Sequence, residues 1–247
     1  MDYNFKNSSS VDKDPLSFAS TNWLVSAKFL SREYKNGIFV DIGSTTTDVV
    51  PIVNGEIKAN RRDLGRLKRG ELIYFGVLRT SVSSLLKRVE IGGEEYRISS
   101  EYFATTADAY LVLGYTMGLN DSYSPPTLWC DRSVEKAKQR LARVLCSDLE
   151  EIGEEGAVGI AEQVKEAQVS ELIDSMKRIK KKYGLKKVIS AGIGDFIVKD
   201  AAKSLDIDFL SLSSRYGKEI SAVFPAYAVA KLLGENHKII KSKIFYR

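Results

Sequence analysis

The amino-acid sequence predicts an α/β fold. Short apolar runs bounded by turn residues are typical of strands, and longer segments with apolar residues three or four positions apart are typical of helices. These segments come in the order hairpins, then helices, then strands alternating with helices, and no repeat of fixed period interrupts that order. Such an order indicates helices packed on a mixed sheet.

The first predicted elements are a helix and several short strands. Residues 20–34 carry apolar side chains at helical spacing, and the helix is expected to end at Asn36-Gly37. Asn54-Gly55 is typical of a tight hairpin turn. The strands are predicted at residues 38–41, 49–53 and 56–59, and on both sides of Gly92-Gly93.

The second half of the chain is predicted to be mainly helical before strands return. A largely helical stretch covers residues 100–182, with breaks at 120–126 and around Gly153. The elements after it are predicted as a strand at 187–191, a helix at 196–205, a strand at 208–212 and an apolar helix at 221–233.

The composition excludes several classes of protein. Of the 247 residues, 44% are hydrophobic and 28% are charged, which is close to the average for globular domains and excludes general disorder. No run of about 18 apolar residues and no signal-peptide pattern is found, so we expect a cytoplasmic protein that does not enter a membrane. Two cysteines and one histidine exclude a disulfide framework and a histidine-rich zinc site.

The charge is mildly basic, with 37 Lys and Arg against 32 Asp and Glu. One cluster follows a Gly- and Thr-rich segment and would suit an anionic substrate such as a phosphate ester. Its members are Arg61, Arg62, Arg66, Lys68 and Arg69. Nucleic acid is not expected as a partner, because no basic motif with interleaved aromatic residues is present.

The sharpest motif is Asp-Ile-Gly-Ser-Thr-Thr-Thr-Asp at residues 41–48, between two predicted strands. A glycine allows close approach of the backbone, and hydroxyls with backbone N–H groups can surround a phosphate. Asp41 and Asp48 are predicted to hold Mg²⁺, since hard cations prefer carboxylate oxygen, and Asp48 is also predicted to be catalytic. An ordinary glycine-containing hairpin is the alternative. The predicted phosphate-binding residues here are Gly43, Ser44, Thr45, Thr46 and Thr47.

A strand–glycine–helix junction at residues 190–196 is the second motif. It offers a helix N-terminus to an anion, and Gly192 and Gly194 are therefore predicted to bind phosphate. The full dinucleotide-binding spacing is missing because no third glycine follows at the required position. A tight turn between a strand and a helix explains the junction equally well.

Three more residues complete the predicted site. Arg79 is predicted to bind phosphate bidentately. Glu71 and Asp108 are predicted to act as catalytic bases, Asp108 because small residues around it leave room for a ligand. The alternatives are an ion pair between Glu71 and a nearby arginine, and close helix packing around Asp108. Glu101 is expected to share a helix face with Asp108.

These motifs resemble those of the actin, hexokinase and heat-shock ATPase superfamily. Residues 41–48 resemble its second phosphate loop, residues 192–194 its adenosine-side motif, and residues 225–228 its second connecting helix. Within the superfamily the chain resembles the hydantoinase A/oxoprolinase-like group and, over about residues 17–233, the archaeal methanofuran-biosynthesis synthase family. The segments that carry this resemblance are Asn22-Trp23-Leu24, VDIGSTTTDVVPI, RGELIYFGVLRT, EYFATTADAYLVLG and QRLARVLCSDLE.

The resemblance implies an actin-like, ribonuclease-H-like lobe over residues 37–247 with a helical insertion at about 100–182. Residues 1–36 would then be the remnant of a first lobe with its crossing helix. Families of this kind open with another glycine-rich strand pair that this sequence does not contain, so we expect either a shortened gene sequence or a lost loop. Trp23 and Leu24 would lie on the uncovered surface, and the chain would turn over poorly and form homo-oligomers.

The implied reaction joins an aminomethyl-furanyl-methyl diphosphate to the phenol γ-glutamyltyramine, forming an aryl ether and releasing diphosphate. The expected partners are therefore a small diphosphate and a phenolic amine, with Mg²⁺ as cofactor. Two alternatives stay open at this point. One is an ATP-dependent enzyme of the hydantoinase or small-molecule kinase type, since ATP also presents phosphates and a metal. The other is a truncated protein without catalytic activity.

Overall fold

The computed structural model describes residues 12, 13, 15, 21–115 and 132–244, with side chains as far as residue 235. The strands are β1 Gly37–Ile42, β2 Thr47–Val53, β3 Glu56–Ile57, β4 Leu72–Ile73, β5 Arg88–Ile91, β6 Glu94–Arg97, β7 Lys187–Gly192 and β8 Asp208–Ser211. The helices are α1 Asn22–Glu33, α2 Asp63–Arg69, α3 Val82–Leu85, α4 Thr106–Val112, α5 Val134–Arg143, α6 Leu149–Tyr183, α7 Asp195–Ser204, α8 Leu212–Tyr216, α9 Lys218–Ala222 and α10 Phe224–Ile244.

Six strands form one mixed sheet. Five follow the order β3-β2-β1-β7-β8, and β4 pairs with the N-terminal end of β2. The first three are antiparallel to one another, whereas β7 lies parallel to β1 and β8 parallel to β7. The α/β prediction is therefore confirmed, and the sheet has the arrangement that a ribonuclease-H-like lobe implies. Strands β5 and β6 form a separate hairpin.

Helices cover both faces of the sheet. Side chains alternate along each strand, so the apolar strand β1 presents apolar residues to both faces. Ile38, Val40 and Ile42 of β1 pack with buried residues of α6 and α7. Phe39 points to the other face, where it packs with buried residues of α1 and α10. The three layers bury the centre of the sheet on both sides.

The helical insertion lies between β4 and β7 and has a core of its own. Buried residues of α4, α5 and α6 pack with Val82 and with Val89 of the β5–β6 hairpin. The long helix α6 belongs to two cores, since its N-terminal half packs here and its C-terminal half packs on the sheet. It is bent at Gly153, whose backbone has φ 70° and ψ 168°.

Most predicted elements are confirmed. The strands, the turns at Asn54-Gly55 and Gly92-Gly93, and the helices that became α1 and α7 lie within about two residues of their predicted limits. The last helix is longer than predicted and follows the short helix α9. The predicted break at 120–126 lies outside the described residues, and the division into lobes at residue 36 stays a prediction. No helix among the described residues is long and apolar enough to cross a membrane.

One helix boundary is wrong. Residues 100–104 are not helical, and α4 begins only at Thr106. Thr105 caps the helix, and the Asp108 side chain in turn accepts the backbone N–H of Thr105, so that two orphan N–H groups are satisfied. Glu101 therefore does not share a helix face with Asp108. The helix α2 and the strand β4 were not predicted at all.

We predict opposite effects of the same substitution at two glycines of α6. An added methyl group meets nothing within 4 Å at either Gly153 or Gly159, so only the backbone conformation differs. Gly159→Ala, within regular helix, should raise the free energy of unfolding by roughly 0.5–1 kcal/mol. Gly153→Ala should lower it by about 1–3 kcal/mol, because its φ and ψ are accessible essentially only to glycine. Urea denaturation measures both, and equal shifts for the two variants would contradict the prediction.

Candidate functional site

The turn between β1 and β2 is fixed by a hydrogen bond within it and by hydrogen bonds to a neighbouring loop. Gly43 N–H donates to the Thr46 carbonyl at 3.0 Å and closes the turn. The side chains of Ser44, Thr45 and Thr46 are partly exposed, so their hydroxyls are accessible to a ligand. Thr47 is buried, and its hydroxyl donates to the carbonyl of Phe75 at 2.9 Å. This fourth hydroxyl is therefore bonded within the protein and is not accessible to a ligand.

A second loop, residues 74–80, supports the turn. The backbone N–H groups of Leu78 and Arg79 both donate to the Ser44 carbonyl, at 3.1 and 3.0 Å. Gly76 lies directly beneath the turn, where a Cβ atom would overlap the backbone of Ser44 and Thr45. The Gly76 carbonyl accepts hydrogen bonds from Thr106 and Gln168, so α4 and α6 fix the supporting loop.

The parallel pairing of β1 with β7 brings the two predicted glycine motifs together. Ile42 lies opposite Gly192 at the carboxyl ends of the strands, and Gly194 N–H donates to the Ile42 carbonyl at 3.1 Å. Gly192 has φ 85°, and a Cβ atom there would lie 2.6 Å from Oδ1 of Asp41. Only glycine leaves room for that carboxylate. The N-terminus of α7 follows at once, so backbone N–H groups from both motifs lie at one edge of the sheet.

Asp41 lies at this edge of the sheet, opposite Ala191 of β7. Among the residues that the structure describes, nothing forms a hydrogen bond or an ion pair with its carboxylate. Burial, together with the charge of Asp48 on the neighbouring strand, raises the pKa of Asp41 to about 7. Asp41 and Asp48 are directly opposite in the β1–β2 register, so their side chains share one face of the sheet. This is the carboxylate pair that the sequence motif predicted.

Asp48 is paired with a buried arginine. Arg66 on α2 is only 1% exposed, and its Nη2 lies 2.5 Å from Oδ1 of Asp48 and 3.0 Å from the Glu71 carbonyl. Its guanidinium also lies over the ring of Trp23, 4.0 Å from the centroid. Burial raises the pKa of Asp48, and the Arg66 charge opposes that rise. Arg66 thus neutralises one member of the carboxylate pair.

Glu71 is buried beside this pair, and its carboxylate contacts Asn60 and Arg69. Its carboxylate accepts the backbone N–H of Asn60 at 2.5 Å and lies 3.8 Å from Nη1 of Arg69. Burial raises the pKa of Glu71, and the N–H of Asn60 and the nearby arginines counteract the rise. The first contact holds the segment before α2 and the second holds the end of α2 next to β4. The arrangement agrees with the ion-pair alternative that the sequence left open.

Asp108 is likewise engaged on both oxygens. Its Oδ1 accepts from Nε and Nη2 of Arg140 at 2.8 and 2.7 Å, and its Oδ2 accepts from the backbone of Thr105 at 2.9 Å. The pair joins α4 to α5 inside the helical insertion. No hydrogen bond or ion pair between the described residues joins Asp108 or Glu71 to the turn. Their predicted role as bases stays a prediction, and their contacts are those of positioning residues.

Arg79 and most of the basic cluster are exposed, whereas Arg66 is buried. The Arg79 side chain is exposed next to the turn, as a phosphate-binding residue would be. In the cluster, however, Arg66 is not available to an anion because it is buried against Asp48, whereas Arg61, Arg62 and Lys68 are exposed.

The prediction that Trp23 lies on an uncovered surface is wrong. Its side chain is only 4% exposed and lies under the Arg66 guanidinium.

In the sequence Arg66 is one of five clustered basic residues, and no motif predicts its pairing with Asp48 or a place in the site for Gln168 or Gly76. Arg66 is buried while its apolar neighbours on α2, Leu64 and Leu67, are exposed. Its burial reverses the usual pattern of an amphipathic helix, so periodicity alone gives no signal. Within the described part of the chain, no group of three or more His, Cys, Asp or Glu side chains could hold a metal ion by itself.

A family model and two relatives show to which family the chain belongs. The family model described as hydantoinase/oxoprolinase matches residues 4–236. The chain belongs to the hydantoinase/oxoprolinase family. The match includes the turn, the supporting loop and the α7 junction, so the family model covers every part of the candidate site.

Two archaeal relatives of this hydantoinase/oxoprolinase chain carry the same name, (4-{4-[2-(gamma-L-glutamylamino)ethyl]phenoxymethyl}furan-2-yl)methanamine synthase. The relative from Methanocaldococcus jannaschii is 37% identical over 231 residues, which are 93% of this chain and 69% of the relative. The relative from Methanococcus vannielii is 37% identical over 214 residues, 84% of this chain and 95% of that one. The resemblance to the methanofuran-biosynthesis synthase family is confirmed.

Solved structures show weaker likeness to the hydantoinase/oxoprolinase chain. A nucleotide-free acetone carboxylase covers 75% of it at 18% identity with a TM-score of 0.46, over 28% of that chain. ParM of Bacillus thuringiensis with ADP covers 82% at 14% identity with a TM-score of 0.34, over 48% of that chain. Likeness at this level supports no inference about function.

We predict that Asp41 makes stability fall as pH rises. Its pKa is about 7 in the folded protein and near 3.8 when unperturbed, so between these values the folded chain binds a proton that the unfolded chain has lost. Without added metal, Asp41→Asn should therefore be more stable than the wild type at pH 8 by roughly 1–3 kcal/mol and nearly equal to it at pH 4. Denaturation across this range measures the difference. Asp208→Asn, at an exposed position, should change nothing, and a pH-independent effect of Asp41→Asn would contradict the prediction.

We predict that Arg66 matters for stability mainly because it neutralises Asp48. Arg66→Met should lower the free energy of unfolding by about 3–5 kcal/mol, since it leaves a buried carboxylate without its counter-charge. Adding Asp48→Leu should recover part of that loss, because no buried charge then remains. The matched control is Arg88→Met, which breaks the exposed pair with Glu95 and should cost less than about 1 kcal/mol. Equal losses for the single and double variants would show that Asp48 plays no part.

Proposed function

We propose that the chain catalyses the transfer of an aminomethyl-furanyl-methyl group from its diphosphate to the phenol oxygen of γ-glutamyltyramine. The observation that carries the proposal is the 37% identity to two synthases whose name describes the ether product, over 93% and 84% of this chain. The bond between the furanylmethyl carbon and the diphosphate oxygen breaks, the bond from that carbon to the phenol oxygen forms, and diphosphate leaves with the electron pair.

The edge of the sheet suits a departing diphosphate. The accessible hydroxyls of Ser44, Thr45 and Thr46 and the α7 N-terminus are donors fixed before the reaction, and the exposed Arg79 adds positive charge. Fixed donors stabilise negative charge as it develops without having to reorganise, and each can contribute roughly 3–4 kcal/mol. The furanylmethyl carbon gains positive charge as diphosphate leaves, so stabilising the leaving group is the main task of the site.

The donor set also fits Mg²⁺. Asp41 offers a carboxylate with no partner among the described residues, and Mg²⁺ commonly takes one or two carboxylates together with water and substrate phosphate oxygens. When bound there, the ion would neutralise charge on the diphosphate. We propose Asp41 as its ligand, with Asp48 close enough in the strand register to contribute.

The phenol proton needs an acceptor, because the ordinary pKa of a phenol is about 10. We propose Asp48, whose Oδ1 is bonded to Arg66 while no described residue bonds to its Oδ2. Arg66 opposes the rise that burial causes in the pKa of this carboxylate and fixes its orientation. Asp108 and Glu71 would instead act as positioning residues, the first through α5 and the second through the segment before α2.

The direct experiment supplies both substrates and Mg²⁺ to the purified chain and follows diphosphate release and the ether product by mass spectrometry. We expect product without ATP. Product that forms only with ATP, accompanied by its hydrolysis, would favour the ATP-dependent alternative. Failure to form the ether under conditions in which the Methanococcus vannielii relative forms it would overturn the proposal.

The variants separate catalytic from positioning residues. Asp48→Asn should lower kcat at least about 100-fold while the chain stays folded, because an amide can still accept from Arg66 but cannot take a proton. Asp108→Asn should keep kcat within about tenfold and lower the melting temperature instead, since it weakens the buried pair with Arg140. Initial rates and thermal unfolding are measured on the same samples. Loss of turnover in Asp108→Asn with an unchanged melting temperature would indicate that Asp108, rather than Asp48, is the base.

A further inference from the structure

A groove of about 630 Å³ lies outside the site described so far, between α4, α6 and α7. One wall is a stripe of α6 side chains at helical spacing, and the other comes from the end of α4 and from Asp200 of α7. Its lining is apolar in part, through Leu113, Val169 and Ile173, and charged in part, through Glu162, Lys165 and Glu166. A groove of mixed character suits a small molecule with an apolar body and a charged end.

The lysine of this groove is held in a fixed place. Nζ of Lys165 lies 2.7 Å from Oδ2 of Asp200 and 3.0 Å from Oη of Tyr115. The Tyr115 ring in turn stacks on Phe196, with centroids 4.1 Å apart. Two of the three ammonium protons thus have acceptors among the described residues, and the third is available to a carboxylate.

The two glutamates are exposed and stand one turn apart on the same face of α6. Neither forms a hydrogen bond or an ion pair with another residue in the described ranges. The lysine lies beside these two carboxylates without an ion pair to either. Its ion pair within the described ranges is with Asp200, and one ammonium proton is left for a further carboxylate. Such a set complements a zwitterion, whose carboxylate would face Lys165 and whose ammonium would face Glu162 and Glu166.

The groove is also at the right distance from the reaction centre. Helix α7 begins at the site, and Asp200 follows five residues after Asp195, which is about 8 Å along the helix. Phe196, between them, touches both Tyr110 and Tyr115. An extended γ-glutamyltyramine measures roughly 13 Å from its phenol oxygen to its amino-acid α-carbon, so it could reach from the site into the groove.

We propose that this groove binds the zwitterionic γ-glutamyl end of the phenolic substrate and so determines which phenol reacts. The inference rests on the proposed function, since it is that reaction that makes γ-glutamyltyramine the substrate. Lys165 pairs with the α-carboxylate, Glu166 with the α-ammonium, and the apolar residues of α4 and α6 contact the chain between the ring and the amide.

Calorimetry on the full chain tests this without relying on turnover. The two probes are γ-glutamyltyramine and N-acetyltyramine, which keeps the phenol and the amide but lacks both charges. We expect the wild type to bind the first about tenfold more tightly or better, as one or more charged hydrogen bonds would give. Glu166→Gln and Lys165→Met should each remove most of that preference.

The controls separate binding from folding. Lys177→Met lies on an exposed part of the same helix away from the groove and should keep the preference. Lys165→Met also breaks the contacts to Asp200 and Tyr115, so its melting temperature is compared with that of Glu166→Gln, whose side chain is exposed. Equal binding of the two probes, no binding of γ-glutamyltyramine, or a preference that survives both groove variants would overturn the inference.

The outcome can be distinguished from that of the proposed function. A charge-dependent preference in calorimetry without ether formation would support the groove and contradict the transfer reaction. Ether formation with equal use of γ-glutamyltyramine and N-acetyltyramine would support the transfer reaction and contradict the role of the groove.

Discussion

The buried ion pair between Asp48 and Arg66 is the interaction on which the candidate site depends. Two charges removed from water are tolerated only when each meets a partner in good geometry, and removing either leaves an expensive unpaired charge. Here the arginine also donates to the Glu71 carbonyl and lies over Trp23. One side chain therefore ties α2 to β2, to the residue before β4 and to α1, and the position of the carboxylate pair follows from that tie.

A second constraint is the contact between the turn and the loop beneath it. Gly76 can lie under Ser44 and Thr45 only because it has no side chain, and its carbonyl is bonded by residues of α4 and α6. Gln168 also bonds Tyr110, which packs edge-on against Phe196 of α7. A continuous set of buried contacts thus joins the turn to the aromatic residues beside the groove. These contacts fix the position of the groove relative to the turn, as the proposed binding of one elongated substrate requires.

The positions of the strands could be predicted because their signals are local. The apolar runs of β1, β2 and β7 and the turn at Asn54-Gly55 lie within short windows of sequence. The start of α4 was predicted wrongly because Thr105 and Asp108 form a capping box, and the small residues around them were taken for a helix interior. The small elements α2 and β4 were missed because each is too short to show a period.

The α/β class, the two glycine motifs and the chemical character of the turn can be predicted from the sequence alone, since they depend on residue types within a few positions of one another. Which of the described charges have a partner depends on the tertiary structure. Asp48 meets Arg66 across 18 residues and Asp108 meets Arg140 across 32, while Asp41 has no ion pair with any residue that the structure describes. The groove likewise needs three helices from separate parts of the chain. Pairing and burial of charges depend on distances through space, and composition and periodicity carry no information about those distances.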